Sequence, residues 1–199
     1  MGKSGSGCRQ ECLPPPGIAR KNTDHPLPCG VAHLGYSDFV RVRHIYISPG
    51  HNYFGHHEQP AGTHSMREVP EVECVAGKGL VGDRFFDFKP DYKGQATFLS
   101  EETVRALEKE FGLSEIDPSV FRRNILVEGV DLNALIGREF ELQGVTFLGT
   151  QEAAPCYWMD QALGPGAEAA LRGRGGLRVK ILTDGGLRAE SAVTALAMA

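Results

Sequence analysis

Glycine and proline interrupt this sequence so often that short elements joined by many turns are expected. The 199 residues include 25 glycines and 12 prolines, and both residue types favour turns over long regular elements. Between them lie short β-branched runs such as residues 40–47, which are typical of strands. Six to eight short strands and two or three helices can be placed in this way. The pattern therefore predicts a mainly β fold and disfavours a helix bundle.

The clearest helix begins after a short buried strand at residues 96–99. Ser100 is the expected N-cap, acidic residues follow in the first turn, and Gly112 is the expected stop. Further on, two apolar runs flank Gln143-Gly144, which predicts a hairpin. Short helices are expected at 155–163 and 166–171, and late strands at 177–182 and 193–196.

The length suits one domain with a single core. Residues 1–38 are rich in Gly, Ser and Pro and are predicted to be a flexible tail, so that the domain covers residues 39–199. A net charge of −4 argues against a nucleic-acid partner. No apolar run is long enough to cross a membrane, and five scattered cysteines suit a reducing compartment. We expect a cytoplasmic protein with small-molecule ligands.

Cys156 is the residue most able to carry chemistry. If Pro155 is the first residue of a helix, Cys156 lies in the first turn, where free N–H groups and the helix dipole stabilise a thiolate. A thiolate is a nucleophile or a ligand for a soft metal. The alternative is an inert cysteine in the core, because cysteine is commonly buried. The local sequence alone leaves both open.

Two basic clusters could bind an anion. The first is the Arg-Arg-Asn run at 122–124, and the second is the glycine-rich segment 172–178, which carries three arginines. Arginine binds phosphate through two parallel hydrogen bonds, and glycine lets the backbone approach an anion closely. A cleft built from both clusters would suit a phosphorylated or pterin-phosphate ligand. Ordinary surface charge is the alternative.

Three other motifs give weaker evidence of a functional site. The segment 51–66 contains four histidines, at positions 51, 56, 57 and 64, which indicate either a metal or proton-transfer site or a solvated loop. The G-x-G-x-x-G pattern at 77–82 leads into a turn rather than a helix, so a dinucleotide site is rejected. Cys8 and Cys12 have no partner pair downstream that would complete a zinc site.

The ordered motifs resemble those of the MOSC family, named for the C-terminal domain of molybdenum-cofactor sulfurases. The resemblance runs from about residue 40 to residue 196. Within the family, the chain is similar to stand-alone bacterial members related to the hydroxylaminopurine-resistance proteins. Its pieces occur in family order: Ile-Tyr-Ile-Ser-Pro at 45–49, Gly-Leu-Val-Gly-Asp-Arg at 79–84, Leu-Ser-Glu-Glu-Thr at 99–103, Arg-Arg-Asn-Ile-Leu-Val at 122–127, Pro155-Cys156 and Arg-Gly-Gly-Leu at 174–177.

The resemblance implies a β-barrel-like fold with two or three peripheral helices, and a reactive cysteine at Cys156. In the family this thiol either ligates the molybdenum of a pterin cofactor or carries sulfur as a persulfide. The residues expected to bind the cofactor are Arg84, Ser100, Arg122, Arg123, Asn124, Gly175, Gly176 and Arg178. Two departures are present. Ala153 stands where some relatives have a second cysteine, and Glu190-Ser191 replaces a late Gly-Asp turn.

Three functions follow from the resemblance. The first is a molybdenum-cofactor-dependent oxidoreductase that reduces N-hydroxylated bases or amines, with electrons from a redox partner. The second is a sulfur carrier or transferase that receives a persulfide on Cys156 from a separate pyridoxal-phosphate-binding cysteine desulfurase. The third is a non-catalytic module that binds a phosphorylated small molecule in the same basic cleft. No nucleic acid or membrane is expected as a partner.

Overall fold

A computed structural model of the chain describes residues 32–33, 40–51 and 62–190, the first pair as backbone only. Within these ranges no helix has the length and apolar character of a membrane span. The strands, β1 to β11, are Ala32–His33, Arg41–Ile47, Arg67–Glu68, Glu71–Val75, Gly79–Leu80, Ala96–Ser100, Ile125–Glu128, Glu139–Leu142, Val145–Glu152, Leu177–Ile181 and Gly185–Arg188. The helices, α1 to α3, are Glu101–Phe111, Trp158–Leu163 and Ala167–Leu171. Short 3₁₀ turns cover Pro118–Phe121 and Asn133–Leu135.

Two sheets make up the β structure. The larger has eight strands in the order β1-β8-β9-β10-β6-β7-β2-β3, and the smaller has the order β11-β4-β5. The pairs β6–β7 and β1–β8 are parallel, and the other pairs are antiparallel. The predicted mainly β class with peripheral helices is confirmed. Among the described residues, however, no ladder joins the ends of the large sheet, so it is not a closed barrel.

Helix α1 connects the parallel strands β6 and β7, which need a crossover because they point the same way. The Ser100 side chain accepts a hydrogen bond from the Thr103 N–H, and Gly112 ends the helix in the left-handed conformation. Both predicted ends of this helix are therefore confirmed. The 3₁₀ turn at Pro118–Phe121 then leads the chain directly to Arg122 and Arg123.

The large sheet has apolar residues on both faces. In β6, Phe98 belongs to the core between the two sheets, whereas the adjacent Leu99 packs under the helices. In β7, Ile125 and Leu126 are divided in the same way, as expected from the alternation of side chains along a strand. The helical layer is thus fixed against one face of the strands that carry the site.

The hairpin between β8 and β9 confirms the prediction at Gln143-Gly144, where both residues have positive φ, 51° and 82°. Strand β1, Ala32–His33, pairs with β8 and lies inside the segment predicted as a tail. The rest of that segment, with Cys8, Cys12 and Cys29, lies outside the described residues, as does the strand predicted at 193–196. The division at residues 38 and 39 stays a prediction.

Candidate functional site

Cys156 and four arginines line one cavity of about 280 Å³, called here the cysteine cavity. Arg84 comes from the turn after β5, Arg122 and Arg123 follow the 3₁₀ turn, and Arg178 lies on β10. No Asp or Glu is among the described residues that line it. Five of the nine predicted site residues therefore meet in one place, and the cavity is strongly cationic.

Cys156 is exposed and lies just before helix α2, not within its first turn. The helix begins at Trp158, and the Cys156 carbonyl accepts a hydrogen bond of 2.9 Å from the Met159 N–H. The expected placement inside the helix was wrong because the preceding backbone is tied to the sheet. The inert-core alternative does not hold, since the thiol is open to solvent.

Arg123 ties that backbone down. Its Nε donates to the Gly175 carbonyl at 2.9 Å, its Nη1 to the Phe121 carbonyl at 3.2 Å, and its Nη2 to the carbonyls of Ala153 and Ala154. Four of its five N–H groups are therefore committed to the protein. Arg123 holds the segment leading to Cys156 and is not a free anion-binding donor.

Gly175 and Gly176 allow close packing of backbone on backbone. A Cβ on Gly175 would come within 2.6 Å of the Ala153 carbonyl oxygen, and one on Gly176 within 2.1 Å of the Phe98 carbonyl oxygen. Neither glycine lines the cysteine cavity. The sequence analysis expected these glycines to let the backbone approach an anion closely. The group that approaches them is instead the protein's own chain.

The glycine-rich segment already binds an anion, the Glu152 carboxylate at the end of β9. Its Oε1 accepts hydrogen bonds from the Gly173 N–H at 2.8 Å and the Gly175 N–H at 3.2 Å. These two donors are therefore satisfied within the fold. Nothing in the sequence pattern pointed to Glu152, because a single acidic residue at a strand end has no distinctive spacing.

Arg84 and Arg178 present the opposite situation. The Nε–H of each is buried and has no acceptor among the described residues. A β-bulge between Arg178 and Val179 interrupts the β9–β10 pairing at this point, and such bulges commonly redirect a side chain. The side chain of Arg84 is only 6% exposed, and its nearest carboxylate oxygen, on Asp83, is 3.5 Å away. A buried donor without an acceptor requires a partner, and a water molecule or an anionic ligand in the cavity would supply it.

Asn124 and Ser100 do not line the cysteine cavity. The Asn124 amide nitrogen donates to the Tyr46 carbonyl and to Asp83 Oδ2, both at 3.1 Å, and its oxygen accepts two hydrogen bonds from Thr97. Its donors are therefore fully used in joining β2, β6 and β7. The Ser100 hydroxyl donates to Glu102 Oε2 at 2.6 Å. The predicted cofactor contacts of both residues stay untested.

Positive charge in the cavity is poorly compensated. Burial first, and then the charge of Arg178, lower the pKa of Arg123 to about 10, whereas a Cys156 thiolate acts in the opposite direction. Arg123 still carries its charge at neutral pH. Burial also lowers the pKa of Arg84, with Asp83 acting against this. An anion in the cavity would therefore be stabilised by several charges at once.

The histidine-rich segment is described only at its two ends. His51 packs edge-on against Phe85 at 4.9 Å, and burial, together with Arg84 and Arg122, lowers its pKa. His56 and His57 lie outside the described residues. Across 40–51 and 62–190, no group of three or more His, Cys, Asp or Glu residues is placed to hold a metal ion.

Solved structures share this fold at low sequence identity. YuaD from Bacillus subtilis aligns with a TM-score of 0.58 and 18% identity, over 75% of this chain and 91% of that one. YiiM from Geobacillus stearothermophilus gives 0.55 and 14%, over 75% and 71%. YiiM from Escherichia coli gives 0.50 and 16%, over 76% and 66%. Identities this low establish the fold alone.

No curated protein gives a significant sequence match. The sequence profile of the MOSC domain matches residues 81–194, which is more than half of the chain and includes Cys156 and all four arginines of the cavity. The resemblance inferred from the ordered motifs is thereby confirmed, and this chain belongs to the MOSC domain family.

Proposed function

We propose that this protein binds the molybdenum cofactor in the cysteine cavity, with Cys156 as a ligand of the metal, and reduces N-hydroxylated bases or amines. One observation carries the proposal. An exposed thiol shares a cavity with four arginines, two of which have buried Nε–H groups without acceptors. A soft sulfur ligand beside unsatisfied cationic donors is the combination that a metal–pterin phosphate requires.

The donors divide by role. Arg84 and Arg178 would hold the phosphate, because the buried Nε–H of each has no acceptor among the described residues, although Arg84 Nη1 also contacts Asp83 Oδ2 and Met66 Sδ. Arg123 would keep the Cys156 segment in place through its bonds to backbone carbonyls. The cofactor, when bound, supplies a redox-active metal centre. Phe85 and Trp158, which also line the cavity, would exclude water from part of it.

The overall reaction sets a requirement for a partner. Reduction of an N-hydroxy group to an amine consumes two electrons and two protons and releases water. The substrate is the electron acceptor in this reaction, so both electrons must come from outside the complex of enzyme and substrate. A separate redox protein is therefore the proposed electron donor.

The test is metal content. The protein is expressed in cells that make the cofactor, and molybdenum per chain is measured by mass spectrometry for the wild type, Cys156→Ser and Arg178→Met. Near-stoichiometric metal in the wild type and a large loss in both variants are expected. Cys74→Ala is the matched control, since Cys74 is the other cysteine of the described residues and is buried in the core.

Metal that is substoichiometric in the wild type and unchanged in Cys156→Ser would overturn the proposal. If a phosphorylated ligand were still bound under those conditions, the cavity would serve a non-catalytic binding module instead.

A sulfur carrier is the second candidate, and the exposure of Cys156 favours it, because a protein donor must reach the thiol directly. Incubation with a pyridoxal-phosphate cysteine desulfurase and cysteine would then add the mass of one sulfur atom to the peptide that contains Cys156. An unchanged mass would exclude this function. Ala153 in place of a second cysteine leaves no local partner for a disulfide with Cys156.

A further inference from the structure

Three aromatic side chains form a surface at the edge of the cysteine cavity, called here the aromatic rim: Phe85, Phe88 and Tyr92. Their ring centroids lie 5.1 to 5.5 Å apart. Phe85 and Tyr92 line the cavity, whereas Phe88 is not among its lining residues and is 50% exposed. The rim therefore extends from the interior of the cavity to the solvent.

Hydrogen bonds hold the segment that carries the rim. Asp87 and Asp91 both have φ of 53°, a left-handed conformation that Asp adopts more readily than most residues other than glycine. The Asp87 N–H donates to the Lys78 carbonyl at 3.0 Å, and Lys180 Nζ donates to Asp91 at 2.5 Å. One part of the Phe88 ring thus packs against Phe85 and Tyr92, and the rest is kept open to solvent by a well-tethered backbone.

Positive charge accompanies the rings. Lys89 Nζ lies 5.3 Å from the centroid of Tyr92 and 5.9 Å from that of Phe88, and the Arg84 guanidinium carbon lies 5.0 Å from that of Phe85. Of the nearby carboxylates, Asp91 is paired with Lys180, whereas Asp87 is exposed. The surface thus combines aromatic faces with cations at their margin.

The cysteine cavity is small for a ligand-binding site. At about 280 Å³ it lies at the lower limit of small-molecule sites, which range over roughly 300 to 1,000 Å³. A ligand larger than the cavity that leaves it beside Phe85 and Tyr92 would meet Phe88 next.

We propose that the aromatic rim is a ring-binding subsite, where Phe88 stacks with a planar aromatic ring and Lys89 meets an anionic substituent on that ring. Phe88 would then be the residue that selects aromatic over saturated ligands. Only the identification of this ligand as the substrate rests on the proposed function. The binding itself needs neither the cofactor nor Cys156.

The probes are benzoate and cyclohexanecarboxylate, which match in charge and approximate size but differ in aromaticity. Their dissociation constants are measured by NMR titration. We expect the wild type to bind benzoate about 3- to 10-fold more tightly, the range given by one aromatic pair. Phe88→Leu should abolish this preference and Phe88→Tyr should keep it. Leu113→Ala, which changes an exposed apolar residue outside the cavity lining, is the matched control.

The charge is tested separately with Lys89→Met. This variant should weaken benzoate binding about 2- to 5-fold, as expected for an exposed ion pair, and leave binding of the neutral benzyl alcohol unchanged. Equal affinity of the wild type for the two acids, or a preference that survives in Phe88→Leu, would overturn the subsite. Cys156→Ser should keep the preference whether or not the protein binds molybdenum, so the two proposals can fail independently.

Discussion

Two groups of hydrogen-bond donors, called here the clamp side and the open side, lie at or next to the cysteine cavity and are used in opposite ways. On the clamp side, Arg123 donates to backbone carbonyls, and the N–H groups of Gly173 and Gly175 donate to Glu152. On the open side, the buried Nε–H groups of Arg84 and Arg178 have no acceptor among the described residues. Both sides look basic and anion-binding in sequence. The difference teaches that the fold occupies one set of donors itself and leaves only the other for a ligand.

The strongest test of the clamp side is Gly176→Ala. The new Cβ would lie 2.1 Å from the Phe98 carbonyl oxygen at a residue with φ of 106°. Steric overlap and backbone strain together are expected to cost about 4 kcal/mol of unfolding free energy, measured by urea denaturation. Gly173→Ala is the control, since its φ of 80° is also strained but nothing lies within 4 Å of its Cβ. It should cost about 1 kcal/mol, the strain of an L-residue in the left-handed conformation, and equal costs would contradict the packing role of Gly176.

Arg123→Met tests the same side through its hydrogen bonds. The substitution leaves the carbonyls of Gly175 and Ala153 without their donor, and both residues are buried. We expect a loss of about 3 kcal/mol in unfolding free energy and faster alkylation of Cys156, because its segment is released. Unchanged stability would mean that the clamp does not support the cysteine.

The sequence carried enough information for the scaffold of this site. Capping at Ser100 and Gly112, the hairpin at Gln143-Gly144 and the strand of Arg178 all rest on local rules that the structure obeys. These features depend on neighbours within a few residues, so the pattern itself contains them.

Roles within the site were harder to predict, because they depend on contacts between distant parts of the chain. Arg122 and Arg123 are adjacent, yet only the side chain of Arg123 lies against Gly175, which is 52 positions away. The start of α2 was misplaced for the same reason, since the carbonyls of Ala153 and Ala154 are held by Arg123. Residue type pointed to Arg122, Arg123 and Arg178, which do line the cavity, but also to Arg172 and Arg174, which pair with Glu168 and Glu110 instead.

Arg178→Met tests the open side and should show the reverse of the Arg123 result. The buried Nε–H of Arg178 has no acceptor among the described residues. Its removal should therefore lower the unfolding free energy by less than about 1 kcal/mol, or raise it. Binding of sulfate, used as a phosphate analogue that does not titrate near neutral pH, should fall about tenfold. Calorimetry measures both quantities. A stability loss comparable to that of Arg123→Met would remove the distinction between the two sides.

The smallest expected effect is a shift in the pKa of His51, which depends on two arginines of the cavity, Arg84 and Arg122. Burial, Arg84 and Arg122 lower its pKa in the folded protein. Below about pH 6.5, the ordinary value for an unfolded chain, the unfolded state therefore binds more protons, and the stability contributed by neutral His51 is lost as the pH falls. Sulfate on the open side should offset part of the arginine charge and raise this pKa. NMR titration, with the His51 signal assigned by its loss in His51→Gln, should show the rise in the wild type, and Arg178→Met should need about tenfold more sulfate for the same rise. If saturating sulfate leaves the pKa of His51 unchanged, the anion binds away from Arg84 and Arg122. The clamp side would then again be a candidate for ligand binding.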